Sequence, residues 1–134
     1  MAEVGLTAED QLAIQQLAAR YNHAIDGGDG VAYADTFVDD GVLDAGELVL
    51  EGRSALQQFA SAFPGSVRCP RHVTTSLVID GGGGEAGLCA YVQMYALVGD
   101  PPRPTVTASG TYTDALVKLE DGWRFVRRTF TADA

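Results

Sequence analysis

The 134-residue sequence is short of positive charge, of cysteine and of long apolar runs, and each shortage removes a class of function. Lys and Arg number nine against 18 Asp and Glu, a formal net charge of -9 at pH 7. Such a surface repels phosphates, so no nucleic-acid partner is expected. It is equally ill-suited to an anionic membrane surface. No apolar stretch reaches the length of a membrane span. Met1 to Asp10 hold no basic residue and no apolar leader core, so no secretion signal and a cytoplasmic location are expected. The two cysteines, Cys69 and Cys89, form no CxxC pair and are expected as small buried apolar residues. No P-loop, HExxH or GxSxG pattern occurs. Gly82–Gly87 satisfies GxGxxG, but that motif must open a helix, and Leu88–Val98 reads as a strand. The glycines are expected in a hairpin loop.

What is present is ordinary globular composition, 46% apolar and 20% charged. The length fits a single domain, residues 1–134, with a core that needs neither disulfides nor a structural metal. Thr7-Ala8-Glu9-Asp10 reads as a helix start, and Ile14, Leu17, Ala18, Tyr21 and Ile25 recur at helical spacing up to a stop at Gly27-Gly28. Asp29 is expected to cap a shorter helix through Phe37, and Asp39-Asp40-Gly41 to turn the chain. Short strands are expected near Val42–Asp44 and Leu48–Leu50. Ser54 then caps a third helix that Pro64-Gly65 ends. Beyond Pro70 the pattern changes. His72–Asp80, Leu88–Val98, Thr105–Leu119 and Trp123–Thr131 are rich in Val, Thr, Tyr and Phe and are separated by turn residues. Helices first and a long antiparallel meander after them predict an α+β fold. Strands this long should curl, giving a concave face that the helices close into a pocket.

Few residues in this plan have chemistry to offer. Asp26 stands at the negative end of the first helix, where a carboxylate is disfavoured by about 0.3–1 kcal/mol. It is either solvated or turned inward toward a partner, and the histidines available are His23 and His72. His23 is three residues away on the same helix. His72 opens a strand on which His72, Thr74 and Ser76 share a semi-polar face, while Val73, Leu77 and Ile79 point to the other. That semi-polar face is either solvent or a pocket wall. Tyr21 precedes Asp26 by five residues, about 140° around the helix, so both can border a pocket beyond its end. Tyr91, Tyr95 and Tyr112 are candidates for substrate contact, with core packing as the alternative. Arg127 and Arg128 face opposite sides of the last strand, so one can point inward.

The runs Ile14–Asp29 and Tyr33–Gly41, the Arg71-His72-Val73-Thr74-Thr75 motif, Gly110–Asp114 and Asp121–Phe125 together resemble the SnoaL-like, or NTF2-like, superfamily along nearly the whole chain. The resemblance implies an α+β cone, with N-terminal helices packed on a strongly curved, mostly antiparallel sheet around a pocket. It covers scytalone dehydratase, bile-acid 7α-dehydratase and lindane dehydrochlorinase, whose Asp/His pair matches Asp26 and His72. Tyr21 matches a tyrosine of the bile-acid dehydratase type. The dehydrochlorinase has lysine there, so loss of water or a proton shift is favoured over dehalogenation. The inward arginine of the group matches Arg127 or Arg128. The expected activity is a lyase or isomerase of dehydratase type that needs no cofactor and no metal. Its substrate would be small, cyclic and mostly apolar. A homodimer or homotrimer is expected. The alternatives are a non-catalytic binding or assembly module, as in dioxygenase small subunits, and a polyketide cyclase.

Overall fold

Thr7 caps the first helix as its sequence predicts: the Thr7 hydroxyl accepts from the Asp10 amide at 3.0 Å, and the Asp10 carboxylate accepts from the Thr7 amide at 3.2 Å. The computed structural model describes residues 5–134, so Met1 to Val4, part of the segment expected to hold no leader, lie outside the described residues. Helix α1 runs Ala8–Gly27, and Gly28 ends it in the left-handed region at φ 69°. Helix α2 is Gly30–Ala34, capped by the Asp29 carboxylate, which accepts from the Ala32 amide. Strands β1 (Phe37–Asp44) and β2 (Val49–Glu51) follow, then helix α3 (Arg53–Ser66). The second half is the meander β3 (Arg71–Gly82), β4 (Glu85–Val98), β5 (Arg103–Leu119) and β6 (Gly122–Ala132). Gly83 and Gly84, both at positive φ, form the two-residue β3–β4 turn where the GxGxxG pattern stood. No described helix is long and apolar enough to cross a membrane.

The six strands form one mixed sheet in the order β2-β1-β6-β5-β4-β3, so the fold is α+β. All pairs are antiparallel except β1 with β6. Register shifts interrupt four of the five pairings, and such bulges bend and twist long strands into a concave surface. Ile14, Leu17, Tyr21 and Ile25 of α1 face that surface with Tyr33, Phe37, Leu56 and Phe125, and all are buried.

Several boundaries differ from the sequence expectation. Phe37 opens β1 rather than closing α2, and Asp39-Asp40-Gly41 lies inside β1, where the register against β6 shifts. Gly52, not Ser54, is the N-cap of α3, and Pro64 sits within that helix, which continues to Ser66. Proline costs one amide bond there, a small loss in a last turn that is already poorly bonded. Cys69 and Cys89 are exposed rather than buried.

The largest departure is on β3. A bulge between Thr75 and Val78, with Ser76 at φ 54°, resets the alternation of side chains. Leu77 and Ile79 therefore pack against the core, on the same side as His72 and Thr74. Val73 and Val78 are left on the outer face, 41% and 66% exposed.

Candidate active site

The last turn of α1 brings Asp26 against the first residues of β3. One carboxylate oxygen stands 2.6 Å from His72 Nδ1, and the other accepts the His72 backbone N–H at 2.9 Å. The same residue is thus held by ring and main chain. Because β3 is an edge strand, Asp26 also satisfies an amide that has no partner strand. Two charge-assisted bonds outweigh the unfavourable end of the helix dipole. One turn earlier, Asn22 Nδ2 donates to Thr74 Oγ1 at 3.0 Å, so α1 and β3 are joined at two successive rungs. His23, the other candidate partner, is exposed.

With Nδ1 engaged, Nε2 of His72 is the free ring nitrogen, with no hydrogen-bond partner among the described residues. His72 lines a cavity of about 170 Å³ between the helices and the sheet. The wall is mainly apolar, with Ile25, Phe59, Phe63, Val92, Met94 and Phe130 contributing. Among its lining side chains only Tyr21, His72 and Tyr112 carry a polar group. The Phe63 ring stands 5.6 Å from the imidazole, centroid to centroid. Asp26 does not line this cavity. It lines a separate groove with Asn22, His23 and Arg71, and His72 borders both spaces. That division is the structural form of the 140° between Tyr21 and Asp26.

Tyr21 is buried, and its hydroxyl accepts from Tyr33 at 2.9 Å. Behind it lies Arg128, wholly buried, its guanidinium 4.3 Å from the Tyr21 ring centroid, 3.6 Å from Tyr112 and 4.4 Å from Phe125. Nε and one terminal nitrogen of Arg128 bind the Asp114 carboxylate at 3.0 and 3.1 Å, while Nη1 has no hydrogen-bond partner among the described residues. Burial pushes the Asp114 carboxyl up, against the pull of Arg128. Burial works against the guanidinium charge, but Asp114 together with the Tyr112 and Tyr21 phenols outweighs it and holds the group above its ordinary value. Burial likewise raises the Tyr21 and Tyr112 phenols well above their ordinary range.

The arginine that faces inward is therefore Arg128, while Arg127 points outward and pairs with Asp44 at 2.5 Å. Neither lines the cavity, and Arg128 is separated from it by the Tyr21 and Tyr112 rings. Of the three candidate strand tyrosines, Tyr112 lines the cavity. Tyr91, 62% exposed, and Tyr95 alternate with the inward-facing Val92 and Met94 and do not reach it. Sequence reasoning did not single out Tyr33 or Asp114. An aromatic in a short helix and an acid in a strand rich in Thr carry no signal of burial beside a phenol or a guanidinium. Among the described residues, no group of three or more His, Cys, Asp or Glu side chains is placed to hold a metal ion.

A family model of the SnoaL-like domain matches residues 6–129. The chain belongs to the SnoaL-like family. Solved structures agree with the SnoaL-like fold. A variant of Rv3472, a protein of unknown function from Mycobacterium tuberculosis, is 32% identical with TM-score 0.87, over 93% of this chain and 72% of that one. A protein of unknown function with a cystatin-like fold from Nostoc punctiforme is 29% identical with TM-score 0.84, over 96% and 94%. A candidate scytalone dehydratase from Novosphingobium aromaticivorans has TM-score 0.82 over 94% and 85%, and at 22% identity it shows the fold alone. Among curated proteins none matches the SnoaL-like chain.

Proposed function

We propose that this SnoaL-like protein is a lyase or isomerase of dehydratase type, independent of cofactors, acting on a small, mostly apolar cyclic ketone. The observation that carries the reading is the Asp26 grip on both the ring and the backbone of His72, which fixes the imidazole with Nε2 free beside an apolar cavity. Nε2 takes a proton from carbon next to the carbonyl. The C–H electron pair forms the enolate, whose oxygen receives the Tyr21 hydrogen bond. Asp26 keeps Nδ1 protonated and offsets the charge of the imidazolium as it forms. In a dehydration the enolate then expels a β-hydroxyl, which leaves as water with the proton His72 had taken. In an isomerisation that proton returns to a different carbon. An aldol-type polyketide cyclase would use the same pair to form a carbon–carbon bond.

The test is turnover of small cyclic hydroxy-ketones, read beside thermal melts. His72→Ala should lose about 10²–10⁴-fold in rate while staying folded. Asp26→Asn should lose nearly as much, because the imidazolium is then uncompensated. Tyr21→Phe should be milder. A folded His72→Ala protein working at the wild-type rate would overturn the mechanism. A second reading, a non-catalytic binding or assembly module, draws support from the exposed apolar side chains Val73, Val78 and Tyr91 on the outer face of the sheet.

A further inference from the structure

Asn22 and Thr74 do not line the cavity, yet they stand one step behind Asp26 and His72 on the same two elements. Four residues of helix rise about 6 Å and two residues of strand about 6.6 Å, so the step from Asn22 to Asp26 on α1 matches that from Thr74 to His72 on β3. The match ends there, because Ser76, two residues further along β3, lies in the bulge. Asp26 is the last residue but one of α1, and helix ends fray. Bonds from Asp26 alone would let the start of this edge strand pivot about the helix end. Asn22 is buried a full turn inside the helix, so its bond to Thr74 at 3.0 Å gives β3 a second, firmer point of attachment. Stability does not account for the pair. Oδ1 of Asn22 is buried without a hydrogen-bond partner among the described residues, and two apolar side chains of similar shape would avoid that cost.

We propose that Asn22, acting through Thr74, is a positioning residue for His72: its bond fixes β3 against α1 at the height where the imidazole Nδ1 meets the Asp26 carboxylate. The hold on the ring stands by itself. Its value for catalysis rests on the reading above, in which His72 takes a proton from a ketone.

The first test needs no substrate. In protein labelled with ¹⁵N-histidine, the proton of the Asp26–His72 bond, 2.6 Å between heavy atoms, should give a far-downfield ring N–H signal, assigned by its loss in His72→Ala. A wild type without that signal would overturn the proposal. Thr74→Val removes the hydroxyl and keeps the shape. It should make the proton exchange with water about fivefold faster, the size of one neutral hydrogen bond. Asn22→Leu should do the same, and the two together no more than either alone, because they break one bond. Thr74→Ser, which keeps the hydroxyl, should exchange as the wild type does. Wild-type exchange in folded Thr74→Val or Asn22→Leu would make the pair a packing contact and overturn the proposal, as would Thr74→Ser behaving like Thr74→Val. In turnover of the cyclic hydroxy-ketones, Thr74→Val should lower kcat about fivefold and leave KM in place, because neither side chain lines the cavity. A change in KM alone would count against positioning. The functional reading fails separately, through undiminished turnover by His72→Ala, and the exchange rates then decide the hold on the ring.

Discussion

Asp114 and Arg128 form an ion pair with no access to water, held by two hydrogen bonds and ringed by aromatic faces. Removing one member leaves the other charge buried and alone. Asp114→Ala should therefore cost about 3–5 kcal/mol in urea denaturation, and the double variant Asp114→Leu, Arg128→Met much less. A cost for Asp114→Ala below about 1 kcal/mol would mean that water reaches the guanidinium. The sequence told only that Arg127 and Arg128 face opposite ways, since parity along a strand does not say which parity is inward. The Asp26–His72 contact was legible for a different reason. A carboxylate at a helix end is misplaced unless something answers it; that left His23 and His72 open, and the resemblance of Arg71-His72-Val73-Thr74-Thr75 to the SnoaL-like family is what pointed to His72. Tyr91 and Tyr95 were misread because an aromatic on the outer face of a curved sheet looks, in sequence, like one on the inner face.

At the scale of elements, close contacts tie the short helices down. A Cβ on Gly30 would collide with the Gln57 carbonyl and the Ser61 hydroxyl, so α2 packs on α3 backbone to backbone. Gly30→Ala should lower stability by about 1–3 kcal/mol, read as a shifted melt, and should loosen Tyr33 with it. The N-terminus of α1 is fastened in another way. Asp10 accepts from Thr7, Lys118 and Trp123, and these bonds, that of Lys118 first, hold its carboxyl well below the usual carboxylate range. Its folded value is depressed, so its contribution is complete above the unfolded value near 4 and is lost as the pH falls below that. Melts of the wild type should fall on acidification below about pH 4, and Asp10→Asn should melt lower at pH 7 with a shallower acid limb. Helix starts such as this one were readable because caps are local chemistry. The β3 faces were not, because the bulge at Ser76 depends on what α1 and β4 press against it.

Over the whole molecule, the outer face of the sheet carries Val73, Val78 and Tyr91 in the open. We propose that two or three copies meet there. Sedimentation at micromolar concentration should show more than monomer, and Tyr91→Lys should shift it toward monomer. Because each copy carries -9, added salt should strengthen the assembly. A single monomeric species at all salt concentrations would contradict the proposal.

The parallel pairing of β1 with β6 joins Phe37 to Phe125 and Asp44 to Thr129. During synthesis, β1 emerges with nothing beside it but the three-residue β2, and it waits for almost the whole remaining chain before its other neighbour exists. The hairpins from β3 to β5 close early and locally, whereas the β1–β6 contact requires the longest loop of any strand pairing to close. The slow event in refolding should therefore be the docking of the N-terminal segment onto a preformed meander. Pulse-labelled hydrogen exchange should show amides of β4 and β5 protected before the Phe125 amide, which donates to the Thr36 carbonyl across that late junction.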